Sequence, residues 1–179
     1  RVLETHEFVG SELIVELTKK YHEQGRYILI LSDRREHLNL MYKSLEGFSR
    51  GFYVGGMKPD QLRDSQEQDI LLATFSMASE GMDIPKLNTV ILASPKSDVE
   101  QSVGRIFRQK ADVRKYHPLI IDIQDTFSMF KHQSKKRVAF YHKSNFTLFL
   151  NGEQLESKKR GRKKKEDKVI KMNDFSLVD

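Results

Sequence analysis

Residues 69–108 read D-I-L-L-A-T-F-S-M-A-S-E-G-M-D-I-P-K-L-N-T-V-I-L-A-S-P-K-S-D-V-E-Q-S-V-G-R-I-F-R. Two continuous apolar runs, 70–73 and 90–93, are too short for buried helices and lack polar alternation. Both read as strands covered on two faces. Between them lies a polar loop punctuated by Gly81 and Pro85. After the second run, Asp98 is placed to cap a helix over 99–107. Strand, loop, strand, helix is the grammar of a parallel sheet.

The same pattern extends outward. Apolar residues Leu13, Ile14, Leu17 and Tyr21 have helical spacing over 11–24, and Gly25 ends that segment. Residues 27–31 form another buried strand. Leu38, Met41, Tyr42 and Leu45 make 34–45 an amphipathic helix. A short strand is predicted at 51–54, followed by the Gly55–Gly56 turn, and Pro59 opens a helix through Gln66. Further strands are predicted at 119–123 and 146–150, with a long helix at 126–142. The fold class is α/β, with a mainly parallel sheet flanked by helices. In such sheets ligands bind beyond the carboxyl ends of the strands, where Ser32 and Thr74 both fall.

Composition narrows the function class. A chain of 179 residues suits one domain with an appendage. It has no cysteine, which excludes disulfides and thiolate metal sites. Its six histidines show no ligand spacing, so no metal site is assigned. No apolar run reaches the length of a membrane span. The net charge is +6, but residues 158–165 alone hold seven Lys and Arg, so the remainder carries −1. The basic character belongs to a tail. We therefore divide the chain into a domain at 1–152 and a basic, flexible tail at 153–179. In the tail, Lys158, Lys159, Arg160, Arg162, Lys163, Lys164 and Lys165 suit sequence-independent phosphate binding or a nuclear localisation signal. Arg160-Gly161-Arg162 is similar to an AT-hook core without its Pro.

Chemistry concentrates in three places. On a helix, Gln101, Gly104, Arg105 and Arg108 share one face, while Val103, Ile106 and Phe107 cover the other. Gly104 leaves room for close approach, and two arginines one turn apart can clamp phosphoryl charge. A solvated basic face is the commoner fate of such a pair. After the buried strand 28–31, Ser32, Arg34 and Arg35 sit where a phosphate meets a helix N-terminus, though arginines in a first turn are usually solvated. The Gly55–Gly56 turn can offer backbone N–H groups to phosphates or be a plain turn. Asp122 and Asp125 follow a strand, where a structural or capping role outweighs metal or acid–base work. Lys131, His132, Lys135, Lys136 and Arg137 form one basic helix face, read first as solvated.

The string from Ala73 to Arg108 resembles motifs V and VI of a superfamily 2 helicase, and 28–35 resembles motif IV. The resemblance covers roughly 26–141, and residues before it are expected to lead in from an interdomain linker. It implies a RecA-like three-layer domain, the second of two motor domains. By that match Arg108 resembles the arginine finger, a group worth roughly 10³–10⁵ in rate in related systems. Arg105 resembles a second γ-phosphate contact, and Gln101 the residue bridging toward the nucleotide or the facing domain. Thr74 resembles a hydroxyl on a nucleic-acid phosphate. Gly81 resembles the backbone approach to the nucleotide, and Asp83 the ribose or domain-closure contact. Glu80 stands where the DEAD-box group has Arg, which argues against that group. The string is most similar to double-stranded DNA helicases and translocases: the XPB-like and UvsW-like group, with relatives in large DNA viruses such as the poxvirus transcript-release helicase.

No G-x-x-x-x-G-K-[ST] loop and no D-E-x-[HD] string occurs in the chain. ATP and Mg²⁺ are therefore expected to be held mainly by an N-terminal RecA-like partner domain of the same polypeptide. The chain lacks a starting Met and reads as a fragment that does not hydrolyse ATP alone. DNA is the expected partner, RNA the alternative, and no membrane. A non-enzymatic nucleic-acid-binding scaffold is the third reading. The location is intracellular, at the nucleus or a viral replication site by the tail.

Overall fold

A computed structural model of the chain describes residues 2–7, 11–96, 98–100, 102–103, 115–124, 136–141, 147–150 and 153–154. Among the described residues the frame is an eight-stranded sheet. Helices α1 (Ser11–Glu23), α2 (Arg35–Ser44), α3 (Pro59–Gln66) and α4 (Phe75–Ser79) connect β1 (Val2–Glu7), β2 (Ile28–Leu31), β3 (Arg50–Tyr53), β4 (Ile70–Ala73) and β5 (Thr89–Leu92). Then follow β6 (Leu119–Gln124), β7 (Thr147–Leu150) and β8 (Glu153–Gln154). The strand order is β3-β4-β2-β5-β6-β1-β7-β8, and only the last pair, β7 with β8, is antiparallel.

The strand sequences explain the layering. In β2, Ile28 and Ile30 pack with α1 and α2 through Ile14, Leu17, Leu38 and Met41. Leu29 and Leu31 face the other way, against Phe75, Ala78 and Tyr141. The same alternation runs through β4 and β5. Every residue of β2, β4 and β5 is buried. A period-2 apolar run thus supplies two cores at once, with helices on both sides. Burying each such side chain contributes about 1.5–3 kcal/mol.

Local signals place the helix ends. Gly25 adopts φ +79 and closes α1, with its N–H donating to the His22 carbonyl at 2.8 Å. The Tyr116 hydroxyl also approaches Gly25 so closely that a Cβ would meet it at 2.9 Å. Pro59 starts α3, where Gln61 Oε1 accepts the Lys58 N–H at 3.0 Å. At the expected cap of the helix after β5, Asp98 Oδ1 accepts the Glu100 N–H at 3.3 Å, and Val103 N–H reaches the Val99 carbonyl at 2.8 Å.

Three sequence expectations change. Residues before 26 do not simply lead in: β1 is an interior strand, paired in parallel with β6 on one side and β7 on the other. Its six residues, V-L-E-T-H-E, carry two glutamates and no continuous apolar run, so only pairing identifies them. The sheet also continues past residue 152, because Glu153–Gln154 pairs with Leu150–Phe149. Of the predicted helix 126–142, residues 136–141 are described and are helical, but Arg137 is not on a solvated face. It is 1% exposed and held by a fully buried Asp122.

That contact is bidentate in character. Arg137 Nε donates to Asp122 Oδ2 at 2.9 Å, and Nη2 lies 2.8 Å from Oδ1. The Tyr141 hydroxyl donates to Oδ2 at 3.2 Å. Burial alone would lower the Arg137 basicity, but the Asp122 charge and hydrogen bond outweigh it and raise it. Burial, then the Asp122 charge, pushes the Tyr141 phenol well above its usual range, so it stays a donor. Because both ions are buried, removing one strands the other. Arg137→Met is expected to cost about 3–5 kcal/mol in chemical denaturation. Arg137→Met combined with Asp122→Leu should recover much of that loss; equal losses in the single and double variants would refute the pairing account.

Candidate nucleic-acid and nucleotide interface

Because β2 to β6 run parallel, their carboxyl ends lie along one edge. Reading along that edge from β3 to β5, the loops begin at Val54, Thr74, Ser32 and Ala93 in turn. The sequence-predicted residues of three distant segments are therefore brought side by side, on strands about 5 Å apart.

The first loop is tied to the neighbouring helix. Arg35, in the first turn of α2, donates through Nη2 to the Gly55 carbonyl. This joins two predicted contacts twenty residues apart, and directs the Arg35 guanidinium to the turn rather than outward. Gly56 has φ +85, a conformation that suits glycine. Arg34 is the residue ahead of α2 and is exposed. Thr74 occupies the matching position ahead of α4 and is partly exposed. Its Oγ1 lies 3.1 Å from Ser76 Oγ.

Ser32 departs from expectation as a direct contact. It is fully buried. Its hydroxyl accepts the Arg34 N–H at 3.3 Å and lies 3.3 Å from His37 Nδ1. Ser32 therefore shapes the loop that presents Arg34. Burial first, and the Arg34 charge second, lower the His37 pKa.

The loop after α4 is pinned by alternation. Met82, Ile84 and Leu87 are buried, whereas Gly81, Asp83 and Pro85 are exposed. The buried neighbours Met82 and Ile84, one on each side, turn Asp83 outward. Gly81, at φ +137, makes the preceding reversal. Asp83 and Gly81 therefore face solvent beyond β4.

Sequence reasoning missed the ties between these loops. Ser79 Oγ lies 2.8 Å from Ser102 Oγ, joining α4 to the helix that begins after Asp98. Ser102 is 2% exposed, so this bridge is internal. Lys96 Nζ pairs with Asp33 Oδ2 at 2.9 Å, and the Asp33 N–H donates to Ser94 Oγ at 3.1 Å. The Lys96 carbonyl accepts from Arg137 Nη1 at 2.7 Å. Serines, an exposed lysine and a lone arginine carry no periodic signal, so no pattern in the chain could have paired them. Gln101, Arg105 and Arg108, and the tail residues Lys158, Lys159, Arg160, Arg162, Lys163, Lys164 and Lys165, lie outside the described residues.

The lowered His37 pKa gives a signed prediction. The unfolded imidazole binds its proton near pH 6.5 and the folded one at lower pH. The unfolded state therefore holds more protons in that window, and stability falls as pH drops below about 6.5. In urea titrations from pH 7.5 to 5, His37→Gln should lose less stability than wild type; equal losses would remove His37 as the source.

Comparison with known proteins places this geometry. The helicase conserved C-terminal domain profile matches residues 10–110. A protein of Acanthamoeba polyphaga mimivirus named as an ATP-dependent RNA helicase, L396, is 40% identical over 144 residues, covering 77% of this chain and 27% of its own length. A protein of Escherichia phage T5 named as a helicase, D10, is 27% identical over 146 residues, covering 75% of the chain and 32% of its own. The chain thus spans about a third or less of these relatives. Among solved structures, T4 UvsW superposes with a TM-score of 0.65 at 14% identity, over 83% of this chain and 40% of that one. The C-terminal domain of the DEAD-box protein Dbp5 superposes with a TM-score of 0.62 at 14% identity, over 84% of this chain and 88% of that one. At these identities the superpositions show a shared RecA-like α/β fold.

Proposed function

From the premise that this chain belongs to the helicase conserved C-terminal domain family, we propose that it is the second motor domain of an ATP-dependent DNA helicase or translocase. The observation that carries this reading is the carboxyl edge of the sheet. There the exposed Arg34, the Arg35-tied Gly55–Gly56 turn and Thr74 stand in a row. Cationic side chains, backbone N–H groups and hydroxyls at the starts of helices suit the phosphates of one strand.

The same edge couples that row to the segment bearing Gln101, Arg105 and Arg108. The Ser79–Ser102 bridge joins α4, which follows Thr74, to the helix start at Asp98. A strand shifting at Thr74 would move a helix start whose sequence carries two arginines. In this reading Arg108 is the arginine finger and Arg105 the second γ-phosphate contact. Gln101, Gly81 and Asp83 complete the nucleotide side. Among the described residues no group of three His, Asp or Glu could hold a metal. Because the chain carries neither a G-x-x-x-x-G-K-[ST] loop nor a D-E-x-[HD] string, ATP and Mg²⁺ would be held mainly by the facing RecA-like domain, and this domain alone would be inactive. Bound there, the nucleotide supplies the energy that closes one domain on the other. Repeated closure and release would ratchet the pair along the strand.

RNA is the second reading, favoured by the name of the mimivirus relative. The two differ by dependence on the 2′-hydroxyl. The deciding experiment is steady-state ATPase of the full-length protein with single-stranded DNA, double-stranded DNA or RNA, for wild type and Arg108→Ala. We expect DNA-stimulated turnover that falls by roughly 10³-fold or more in the folded variant. Stimulation by RNA alone would select the second reading. Turnover indifferent to the substitution would remove Arg108 from catalysis, and a protein without turnover in any condition would be a binding scaffold.

The tail adds a separate expectation. If residues 158–165 hold phosphates, deleting 155–179, which leaves β8 in place, should flatten the dependence of DNA affinity on salt, by about 0.9 in the log–log slope per lost duplex contact. An unchanged slope in an otherwise folded variant would exclude the tail as a phosphate-binding element.

A further inference from the structure

The amino edge of the sheet, at the opposite ends of the strands, carries a surface that the motor reading does not use. Lys20 Nζ lies 5.1 Å from the Tyr21 ring centroid, Lys86 Nζ 5.2 Å from that of Tyr27, and Lys115 Nζ 5.1 Å from that of Tyr116. These pairs come from the end of α1 and from the turns before β2, β5 and β6. The three strands are consecutive in the sheet, so the turns lie side by side.

Hydrogen bonds fix them relative to one another. The Asn88 and Thr89 N–H groups both donate to the Tyr27 carbonyl, at 3.2 and 3.1 Å. The Leu119 N–H donates to the Asn88 carbonyl at 2.9 Å. The Tyr116 hydroxyl donates to the Gln24 carbonyl at 2.6 Å. Arg26 braces the centre: its guanidinium lies 5.0 Å from the Tyr116 ring and donates to Thr89 Oγ1 at 3.2 Å and to the His117 carbonyl at 3.1 Å. Burial lowers its pKa, consistent with a cation spent on structure.

The charge balance is one-sided. Residues 20–27, 86–89 and 115–118 hold four Lys or Arg and one carboxylate, Glu23. The neighbouring Asp69 is occupied by His22, 3.1 Å away. Tyr27 is 37% exposed and is one of two large apolar side chains left open among the described residues. An exposed ring set among lysines offers a stacking face and phosphate partners together.

We propose that this amino-edge surface is a second nucleic-acid contact, in which Lys20, Lys86 and Lys115 meet backbone phosphates and Tyr27 stacks on an unpaired base. Without nucleic acid, each ammonium rests over its ring, and the two satisfy each other. Four-residue strands separate the two edges by about 13 Å. The contact therefore takes a different stretch of the polyanion from the one at Arg34 and Thr74. It rests on the motor reading only for the identity of the polyanion.

The test is fluorescence anisotropy of the full chain with a labelled single-stranded oligonucleotide across a salt series. The combined Lys20→Gln, Lys86→Gln and Lys115→Gln variant should lower the log–log salt slope by about 2, at about 0.7 per phosphate. Tyr27→Ala should weaken single-strand binding about five-fold and duplex binding less. Arg34→Gln, run in parallel, reports the carboxyl edge. A slope that falls for Arg34→Gln but stays at wild type for the triple variant, with an unaltered thermal melt, overturns this proposal alone. Slopes unmoved by either would overturn nucleic-acid binding by both edges. If the triple variant fails to fold, Lys86→Gln decides, by a slope drop of about 0.7 or none. A surface built for an acidic protein face gives that null slope, and so refutes the proposal.

Discussion

The buried pair between Arg137 and Asp122 is the constraint on which the carboxyl edge of the sheet depends. Asp122 stands near the carboxyl end of β6, the strand next to β5 in the sheet. Taking its charge out of water is costly unless a partner comes with it. Arg137 comes from a helical segment fifteen residues later; its Nε donates a hydrogen bond to one carboxylate oxygen and its Nη2 pairs in charge with the other. A third nitrogen reaches the Lys96 carbonyl. One guanidinium therefore fixes three things together: the end of a core strand, the C-terminal helical segment, and the loop that leads into Asp98. Tyr141, buried in the core beneath α4, adds a second donor to the same carboxylate and ties it to the apolar layer.

From that anchor the order spreads along the edge by short polar links. Lys96 reaches Asp33, and Asp33 is held by Ser94. Ser32 lies buried below, shaping the turn that exposes Arg34. Farther along, Arg35 holds the Gly55 carbonyl. None of these links is strong alone, since exposed ion pairs contribute about 0–1 kcal/mol. Their effect is geometric. They limit how far adjacent loops move independently. The amino edge is organised differently, by backbone hydrogen bonds and by rings under cations. Among the described residues no ion pair engages Lys20, Lys86 or Lys115.

Legibility in the chain followed the physics of each signal. Strands β2, β4 and β5 were readable because burial on two faces demands unbroken apolar runs. Helices α1 and α2 were readable because one buried face imposes a 3.6-residue period, and α3 because Pro59 suits a first helical position. The row of Arg34, Gly55, Gly56 and Thr74 was readable through motif resemblance and the rule that parallel sheets present ligands at one edge. Strand β1 was not, because V-L-E-T-H-E has neither an apolar run nor a helical period. Ser32 was misjudged because its position past a strand end is the same whether its hydroxyl turns outward or, as here, inward to His37. Arg137 was misjudged because its neighbours Lys135 and Lys136 made a charge run, and charge runs are usually solvated.

The amino-acid sequence by itself determined the α/β class, most of the element order and the family, since these follow from local periodicity and from short strings whose spacing is set by one loop or one helix turn. Only the tertiary structure decided where β1 enters the sheet, that Arg137 is a buried partner of Asp122, that Arg35 is spent on Gly55, and that three Lys–Tyr pairs converge on the amino edge. Each of those brings together segments far apart in the chain, even where a single pair, Lys20–Tyr21 or Lys115–Tyr116, is adjacent in sequence. Such contacts leave no periodic trace, because their energy depends on distances that exist only after the sheet has assembled.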